Sequence, residues 1–432
     1  IVNMGLFRCV TAFTWITGYR LFGGGAAKFS RLAVTMDMDQ NTHPKELIEE
    51  YLRRTQKPIK PILVADGPCK ENIHLGDEVD LLKFPVPMVH DGDGGLYIGT
   101  WHITVSQDFD SDWVNWGMYR HMLHNKNTVA IYLANPQRHL GAIYFGSYEP
   151  KNKPMEVAIA IGTEPVSALC ATTPMPYGVS EVDVAGGIRG EPVELVKCET
   201  IDLAVPATAE IVIEGEIRPH ERMDEGPFGE YTGYLRPGKE SMPVIHVKAV
   251  THRNNPIFTM SCMGVPVDDN CVLSLTKGAG FLKAFRERGL PVTGVYCIPE
   301  TSESLLVVAV KAFYSGIAAD IAHIVWGTTA GRALPYLIIV EDDVDPFNIS
   351  QVLHALCTKC HPSRGIVKME NGPIVSLLPF LDQHEQQYQT GTKVYFDCTW
   401  PRDWDLSNIP KKVSFAAAYP LEVQQKALAK GW

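Results

Sequence analysis

The sequence predicts a protein of α/β plus β class, in which a central antiparallel barrel or sandwich lies between two α/β portions. The chain has 432 residues, which exceeds one average core and favours two or three domains. Residues from about 75 to 265 form short β-rich runs separated by Pro and Gly. This sequence pattern is typical of antiparallel β-structure. After about residue 270, strand-like and helix-like runs alternate, which is typical of an α/β domain.

Residues 1–72 are predicted to form the N-terminal α/β segment. Pro44 to Arg54 is predicted as a helix, because acidic residues lie early in it and basic residues late. Gly23-Gly24-Gly25 is followed by Lys28 and Ser30, but the Gly-Lys-Ser/Thr order of a phosphate loop is absent. We therefore predict a flexible loop there.

Residues 73–265 are predicted to form the central β domain. A closed barrel with loops at its mouth would offer a natural cofactor site. The clearest strands are predicted at His102–Ser106, Val157–Ile161, Ile211–Ile217 and Val244–Val250.

Residues 266–300 are predicted as a linker, residues 301–412 as the C-terminal α/β domain, and residues 413–432 as a C-terminal helical tail. The predicted elements of the domain are the strands Leu305–Lys311, Leu337–Val340 and Lys393–Phe396 and the helices Gly316–Trp326 and Ile349–Leu356. In the tail, Pro420 to Trp432 is predicted as an amphipathic helix that docks on its own domain or is exchanged with a neighbouring subunit. Its apolar side would carry Leu421, Val423, Ala427 and Leu428.

Composition indicates a cytoplasmic globular protein. A formal net charge of -10, without any basic stripe among aromatic residues, argues against a nucleic-acid partner. No apolar run approaches the roughly 18 residues of a membrane span, and no secretory signal opens the sequence. The chain starts at Ile1 rather than Met, so we expect a preceding segment to be missing.

The ten cysteines are scattered through the chain, as expected of buried, reduced thiols. Cys357-Thr-Lys-Cys360-His361 matches the short signature of covalent haem attachment. It ends an apolar, helix-like stretch, however, and such short signatures often match by chance. We therefore predict a helix end and no haem.

Arg222 to Tyr234 carries two acids five residues apart, Glu225 and Glu230. The segment is predicted to be a turn, neither helix nor ordinary strand, because of Gly226, Pro227 and Gly229. An acid pair is more often a solvated loop. Here three aromatic residues, Phe228, Tyr231 and Tyr234, favour a partly desolvated pocket in which one carboxyl keeps its proton near neutral pH.

Four further polar residues in the same predicted domain suggest ligand binding. The planar guanidinium of Arg120 suits a carboxylate or phosphate, although a lone Arg is more often a surface charge. Asn115, His139 and Glu181 would together suit a hard or borderline divalent ion such as Mn²⁺. They lie far apart in sequence, and a hydrogen-bonded buried histidine is the commoner alternative.

Six segments resemble, in their sequences and in their order along the chain, the UbiD-like family of non-oxidative decarboxylases, which use prenylated FMN. Within the family, the resemblance is closer to the ferulic-acid and heteroaromatic-acid decarboxylases than to the ubiquinone-pathway enzyme. One reason is that Leu378-Pro-Phe-Leu-Asp382 precedes the Gly391-Thr-Lys-Val strand. The resemblance runs from about residue 60 to the C-terminus. The six segments are Asp93–Thr100, Asn115–Arg120, Gly190–Thr200, Val205–Gly215, Glu225–Glu230 and Ile339–Asp345.

The resemblance implies a central split β-barrel that binds flavin and a C-terminal domain used in oligomerisation. It also implies a catalytic network of Arg120, Glu225 and Glu230. Mn²⁺ would be held by Asn115, His139 and Glu181 and would join the cofactor phosphate to the protein. A K⁺ ion would be held largely by backbone carbonyls near Trp113 and Ala171.

The resemblance further implies which residues contact cofactor and substrate. Substrate would meet Asn270, whose alternative role is that of a turn residue, and Phe380 and Leu381, which are equally compatible with an ordinary core. The expected cofactor-binding residues are Asn115, Met118, Arg120, Arg138, Thr172, Thr173, Pro174 and Glu181.

Two departures from the family pattern affect these expectations. The segment between Arg120 and His139 is one residue longer than in relatives, so Arg138 competes with His139 for the aligned position. A lysine that many members place just before the strand Leu337–Val340, where it contacts phosphate, is Tyr336 here.

The sequence therefore predicts a carboxy-lyase that reversibly decarboxylates an aromatic, heteroaromatic or α,β-unsaturated acid. We expect a homodimer or dimer-based hexamer whose cofactor is supplied by a separate flavin prenyltransferase. One alternative is a non-catalytic flavin-binding subunit of a carboxylase complex, which would bind flavin without releasing CO₂. Another is a metal-dependent hydrolase, which would need an open, water-bearing position on the metal.

Overall fold

The computed structural model describes residues 20–133 and 139–431. The N-terminal portion joins two helices to short strands. Helix α2 confirms the predicted helix: Pro44 occupies its first turn, Arg53 and Arg54 its last, and its apolar face is buried. The elements are β1 (Arg20–Gly23), α1 (Phe29–Thr35), α2 (Pro44–Thr55), β2 (Ile62–Leu63) and β3 (Asn72–Leu75).

The central portion is mainly β-structure with three helices. The four predicted strands are confirmed as β5, β9, β12 and β15, two of which are much longer than predicted. In order, the elements are β4 (Leu96–Gly99), β5 (His102–Gln107), β6 (Val114–Gly117), β7 (His121–Asn125), β8 (Thr128–Ile131), α3 (His139–Ile143), β9 (Met155–Ile161), α4 (Pro165–Thr172), α5 (Glu181–Arg189), β10 (Glu194–Lys197), β11 (Ala204–Pro206), β12 (Ile211–Glu225), β13 (Phe228–Gly229), β14 (Leu235–Arg236), β15 (Glu240–His252) and β16 (Ile257–Met260).

Eight strands of this portion, together with β3, form one curled, antiparallel half-barrel sheet of nine strands. Eight follow the order β4-β7-β8-β15-β12-β9-β5-β6, and β3 adds to β15. The alternation of side chains along the strands fills two cores. In β12, Ile211 and Ile213 belong to the core on one face, while Val212 belongs to the core that the helices cover on the other.

The C-terminal portion has a five-stranded sheet with helices packed against it. The predicted alternation of strands and helices is confirmed. The elements are α6 (Cys271–Glu287), β17 (Val292–Cys297), β18 (Leu305–Val310), α7 (Ile317–Trp326), β19 (Tyr336–Glu341), α8 (Ile349–Thr358), β20 (Ile366–Pro373), α9 (Gln383–Tyr388), β21 (Thr390–Cys398), α10 (Phe415–Ala418) and α11 (Leu421–Leu428).

The order of this sheet is β17-β18-β19-β21-β20, with β18, β19 and β21 parallel. The segment 266–300, predicted as a linker, contains α6 and β17 and is well packed rather than extended. Helix α6 contributes Leu275 and Phe285 to the core that also contains residues of the half-barrel.

The tail forms a shorter helix than predicted, α11, and three of its four predicted apolar residues, Leu421, Val423 and Leu428, are exposed. Docking of this helix on its own domain is therefore not seen. Docking on a neighbouring subunit stays a prediction. Within the described ranges, no helix is both long and apolar enough to cross a membrane.

Candidate active site

A buried arginine bridges the two acids that the sequence singled out. Arg120 lies between β6 and β7, Glu225 ends β12, and Glu230 follows β13. Arg120 donates from Nε and Nη2 to the two carboxylate oxygens of Glu225 at 2.7 Å each, and Nη1 donates to Glu230. Glu225 is 0% exposed and Glu230 5%. The predicted convergence of the three residues is therefore present, with a bidentate pair on one side of the guanidinium.

The turn between the acids is shorter than the sequence predicted. Arg222 to Glu225 were predicted to lie in a turn, but they continue β12, which resumes its pairing with β15 after an irregularity at Ile217/Arg222. The chain reverses at Gly226, whose φ of 89° lies in a region that favours glycine.

A second loop fixes this turn from behind. Gly94 N donates to Pro227 O at 2.8 Å. A Cβ atom at Gly94 would lie 2.0 Å from Gly226 O, so the two backbones touch and only glycine fits.

Asp93 holds the segment that leads to Glu230. Its buried carboxylate accepts hydrogen bonds from the backbone N–H groups of Gly229 and His90, both at 2.8 Å. Bonds from N–H groups to a carboxylate are among the stronger hydrogen bonds in proteins. Sequence reasoning quoted Asp93 as part of a motif but assigned it no role.

Aromatic side chains enclose the Arg120 guanidinium, but they are not all the predicted ones. Its Cζ lies 3.8 Å from the ring centre of Tyr132 and 4.9 Å from that of Phe228. The Tyr97 hydroxyl donates to Glu225 Oε1 at 2.8 Å. Tyr234, predicted to shield the acids, is instead 64% exposed in the loop that connects β13 to β14.

The burial of this network shifts its proton affinities. Burial raises the pKa of Glu230 above its ordinary value, although the neighbouring Arg120 charge opposes the shift. For Arg120, burial alone would lower the pKa, but the hydrogen bond to Glu225 and the charges of both acids outweigh it and raise the pKa. Arg120 therefore stays charged, while burial favours the protonated form of Glu230.

Asn115, His139 and Glu181 meet at one point. His139 Nδ1 lies 2.9 Å from Asn115 Oδ1 and 3.5 Å from Glu181 Oε1. The other oxygen of Glu181 accepts from Trp116 N at 2.9 Å, which fixes the carboxylate. An amide oxygen, an imidazole nitrogen and a carboxylate oxygen are donors that fit a borderline divalent ion. Within the described residues no group of three His, Cys, Asp or Glu could hold a metal, so such a site depends on the Asn115 amide.

The other residues predicted to contact cofactor or ions lie around this cluster. Trp113 packs its ring against that of His139, with 5.2 Å between centres, and its Nε1 donates to Val179 O. The hydroxyls of Thr172 and Thr173 both donate to Leu169 O at the end of α4.

Three more residues were predicted to contact the cofactor or K⁺, and for none of them does the described part of the structure give a polar side-chain contact with the cluster. Pro174 is exposed, and Ala171 is buried in α4. Arg138 lies outside the described residues.

A cavity of about 200 Å³ lies between the half-barrel and the C-terminal portion, beside Arg120 and Glu230. Its barrel side includes the predicted Met118, and its other side includes residues that no sequence pattern had indicated. The lining residues are Thr100, Met118, Tyr119, Arg120, Tyr132, Leu133, Phe228, Glu230, Tyr231, Met263, Arg332, Ile374, Val375, Ser376, Leu377 and Gln389.

The three residues predicted to form the substrate pocket do not line this cavity. Asn270 immediately precedes α6, where its backbone N–H donates to Asp268. Phe380 is half exposed beside Tyr336. Leu381 is buried with Ile374 and Leu378, and it supports the lining loop from behind.

Two family models together match most of the chain. Residues 62–266 match the Rift-related domain of 3-octaprenyl-4-hydroxybenzoate carboxy-lyase (UbiD), and residues 271–398 match the C-terminal domain of the same enzyme. Pyrrole-2-carboxylic acid decarboxylase of Pseudomonas aeruginosa is 34% identical over 412 residues, which are 93% of this chain and 82% of that protein.

Solved structures give a similar result. The closed form of the vanillic acid decarboxylase of Sedimentibacter hydroxybenzoicus aligns with a TM-score of 0.85 at 29% identity, covering 95% of this chain and 87% of that one. The UbiD-class enzyme HmfF of Pelotomaculum thermopropionicum, in complex with FMN, gives 0.81 at 28% identity with the same coverage. An evolved dimeric form of HmfF, in complex with prFMN, gives 0.76 at 29% identity and covers 90% of this chain and 84% of that one. These relatives favour an enzyme over a non-catalytic subunit.

Proposed function

The chain belongs to the UbiD family of carboxy-lyases, and from that premise we propose that it reversibly decarboxylates an aromatic, heteroaromatic or α,β-unsaturated acid with prenylated FMN. Pyrrole-2-carboxylate is the first candidate, because the curated relative is named for that acid. The observation that carries the proposal is the buried ion pair of Arg120 with Glu225 and Glu230 at the wall of a cavity.

The cofactor phosphate would be held through Mn²⁺ by Asn115, His139 and Glu181, since the Asn115 and Glu181 oxygens lie 2.9 and 3.5 Å from His139 Nδ1. K⁺ would lie near the backbone of Trp113 and Ala171. Loss of CO₂ from an sp² carbon leaves a carbanion, and prenylated FMN, when bound, supplies the electron sink. FMN and prFMN in the HmfF complexes support the choice of a flavin.

Arg120 would orient the substrate carboxylate. Glu225 accepts hydrogen bonds from Nε and Nη2 and fixes the plane of the guanidinium at the wall of the cavity. Tyr97 holds Glu225 in turn. A positioned cation of this kind lowers the barrier by holding the substrate in a reactive geometry.

Glu230 would give a proton to the carbon that loses CO₂. Burial raises the pKa of Glu230 above its ordinary value, which favours the protonated form that this step requires. Its position beside Arg120 places donor and carboxylate anchor on the same wall of the cavity. In the reverse direction the same carboxylate would accept the proton.

We propose further that the enzyme forms a homodimer or a dimer-based hexamer and that a flavin prenyltransferase supplies its cofactor. The exposed apolar face of α11 supports contact with a second subunit. Mass measurement of the intact assembly, and of the ligand released on denaturation, would test both statements.

The decisive test is replacement of Glu230 by Gln in protein produced together with a flavin prenyltransferase. We expect CO₂ release from pyrrole-2-carboxylate, and deuterium exchange into the product, to fall by at least about 100-fold, since proton transfer by a positioned acid contributes that much. Flavin content, read from the absorbance spectrum, should be unchanged.

The exposed Glu78, which lies outside the site and outside α11, offers a matched control, and E78Q should keep full activity. Undiminished turnover in E230Q would remove Glu230 from the proposed role. A wild-type protein that carries flavin but releases no CO₂ from pyrrole-2-carboxylate, furoate, indole-carboxylates, hydroxybenzoates or cinnamates would overturn the proposed function itself.

A further inference from the structure

We propose that Arg332 forms a second oxyanion-binding subsite in the cavity, which takes either the phosphate of the flavin or the carboxylate of the substrate. This inference rests on the proposed function. Arg332 belongs to the C-terminal portion and lines the cavity from the side that lies across from the half-barrel residues. Nothing in the sequence comparisons or in the predicted site assigns it a role.

The charges that line the cavity do not balance. Arg120 and Arg332 are the basic residues in the lining, and Glu230 is the acidic one. Glu230 already pairs with Arg120, which is also held by Glu225. In the described part of the chain, the Arg332 guanidinium makes no ion pair and no hydrogen bond with another side chain. Arg332 is half-buried, and the loss of water around a charged group raises the benefit of pairing it with an anion.

The backbone around Arg332 is held firmly, which separates this residue from a mobile surface arginine. Val375, another lining residue, donates its backbone N–H to Arg332 O at 3.2 Å. The fully buried Lys393 donates from Nζ to Gly331 O at 3.0 Å. A Cβ atom at Gly331 would lie 1.9 Å from Val325 O, so only glycine allows this close approach. The position of Arg332 is therefore fixed by its neighbours.

An oxyanion is the ligand chemistry that fits this arrangement. A guanidinium presents paired N–H donors that match the two oxygens of a carboxylate or phosphate. Lys393 adds positive potential nearby when protonated, and burial, together with the Arg332 charge, lowers its pKa to about 8. The proposed flavin contributes one phosphate and the proposed substrate one carboxylate, and both oxyanions would lie in or beside this cavity.

The test compares Arg332→Gln with wild type on two pairs of ligands that differ in charge at one group. The first pair is FMN and riboflavin, titrated into apoprotein by calorimetry with Mn²⁺ present. The second is pyrrole-2-carboxylate and its neutral carboxamide, titrated into holoenzyme. Loss of a charge-assisted contact should weaken the charged member of one pair by about tenfold or more and leave its neutral partner within about twofold. The pair that responds identifies the oxyanion.

Equal weakening of both members of a pair, or no change in either pair, would overturn the proposal. The exposed Arg288 at the end of α6 provides the control R288Q, which should bind all four ligands as wild type does. Should R332Q fail to fold, R332M carries the test, because methionine removes the charge and the donors but keeps an unbranched apolar stem, and unchanged affinities would then contradict the proposal. Because FMN binding needs no turnover, this result is independent of whether pyrrole-2-carboxylate is the substrate.

Discussion

The arginines on the two sides of the cavity differ in whether the protein supplies an acidic partner for the guanidinium. On the half-barrel side, Arg120 is enclosed by two acids and two aromatic rings, and Glu225 also accepts a hydrogen bond from Tyr97. On the C-terminal side, Arg332 is fixed through its backbone, but its guanidinium faces no acid in the described ranges. The arginine of the half-barrel side is thus paired within the protein, whereas Arg332 has the free donors that the proposed anion site requires.

The largest expected effect is a difference in stability between matched substitutions of the two arginines. R120Q should lower the free energy of unfolding by about 3 to 5 kcal/mol, because it leaves Glu225 buried without its cation. R332Q should change it by less than about 1 kcal/mol, because no protein partner is lost. Denaturant unfolding of both apoproteins checks this, and equal destabilisation would erase the contrast between the two sides.

The second prediction concerns Lys393, next to Arg332 on the C-terminal side, and the dependence of the free energy of unfolding on pH. Burial, with a smaller effect of Arg332, lowers the pKa of Lys393 from 10.5 to about 8 in the folded state. The folded protein then loses a proton that the unfolded chain keeps, so the free energy of unfolding should rise as pH increases between about 8 and 10.5. The rise is at most about 3 kcal/mol. K393M should flatten it, whereas K411M, at an exposed site, should not. Parallel unfolding curves for K393M and wild type across this pH range would contradict the assignment.

The smallest expected effect concerns Asp93. D93N keeps the shape of the side chain but weakens the hydrogen bond that holds Gly229 next to Glu230. We expect kcat for decarboxylation to fall by about five- to thirtyfold, equivalent to about 1 to 2 kcal/mol, with KM nearly unchanged. Steady-state kinetics at fixed flavin content measure this. The neighbouring exposed Asp91 supplies the control D91N, and a change in KM alone would show that Asp93 does not position Glu230.

The half-barrel side could be predicted from sequence because its residues lie in motifs with recognisable backbone demands. Gly226 and Pro227 between Glu225 and Glu230 indicated a tight reversal, and family resemblance added Arg120. Asn115, His139 and Glu181 were found in the same way, and they do converge. The strand that ends at Glu225 was predicted too short, because its later part is stabilised by pairing with β15 across an irregularity that no local pattern reveals.

The C-terminal side could not be predicted, because packing between distant segments creates it. Arg332 lies in a short connection, where a lone arginine is ordinarily solvent-exposed. Asn270, Phe380 and Leu381 were chosen by alignment to relatives, yet Leu381 packs inward on Ile374 and supports the lining instead of forming it. Only the folded arrangement shows which side of that loop meets the cavity.

Contact between the Gly94 and Gly226 backbones also limits how this enzyme can be redesigned. Since a single added carbon at residue 94 would collide with a carbonyl oxygen, any library that varies this loop would consist mostly of misfolded proteins. The loop of residues 374–377 also lines the cavity, and it includes no glycine in such a close backbone contact. Efforts to broaden the range of accepted acids should therefore diversify that loop and leave the glycine-rich segment as it is.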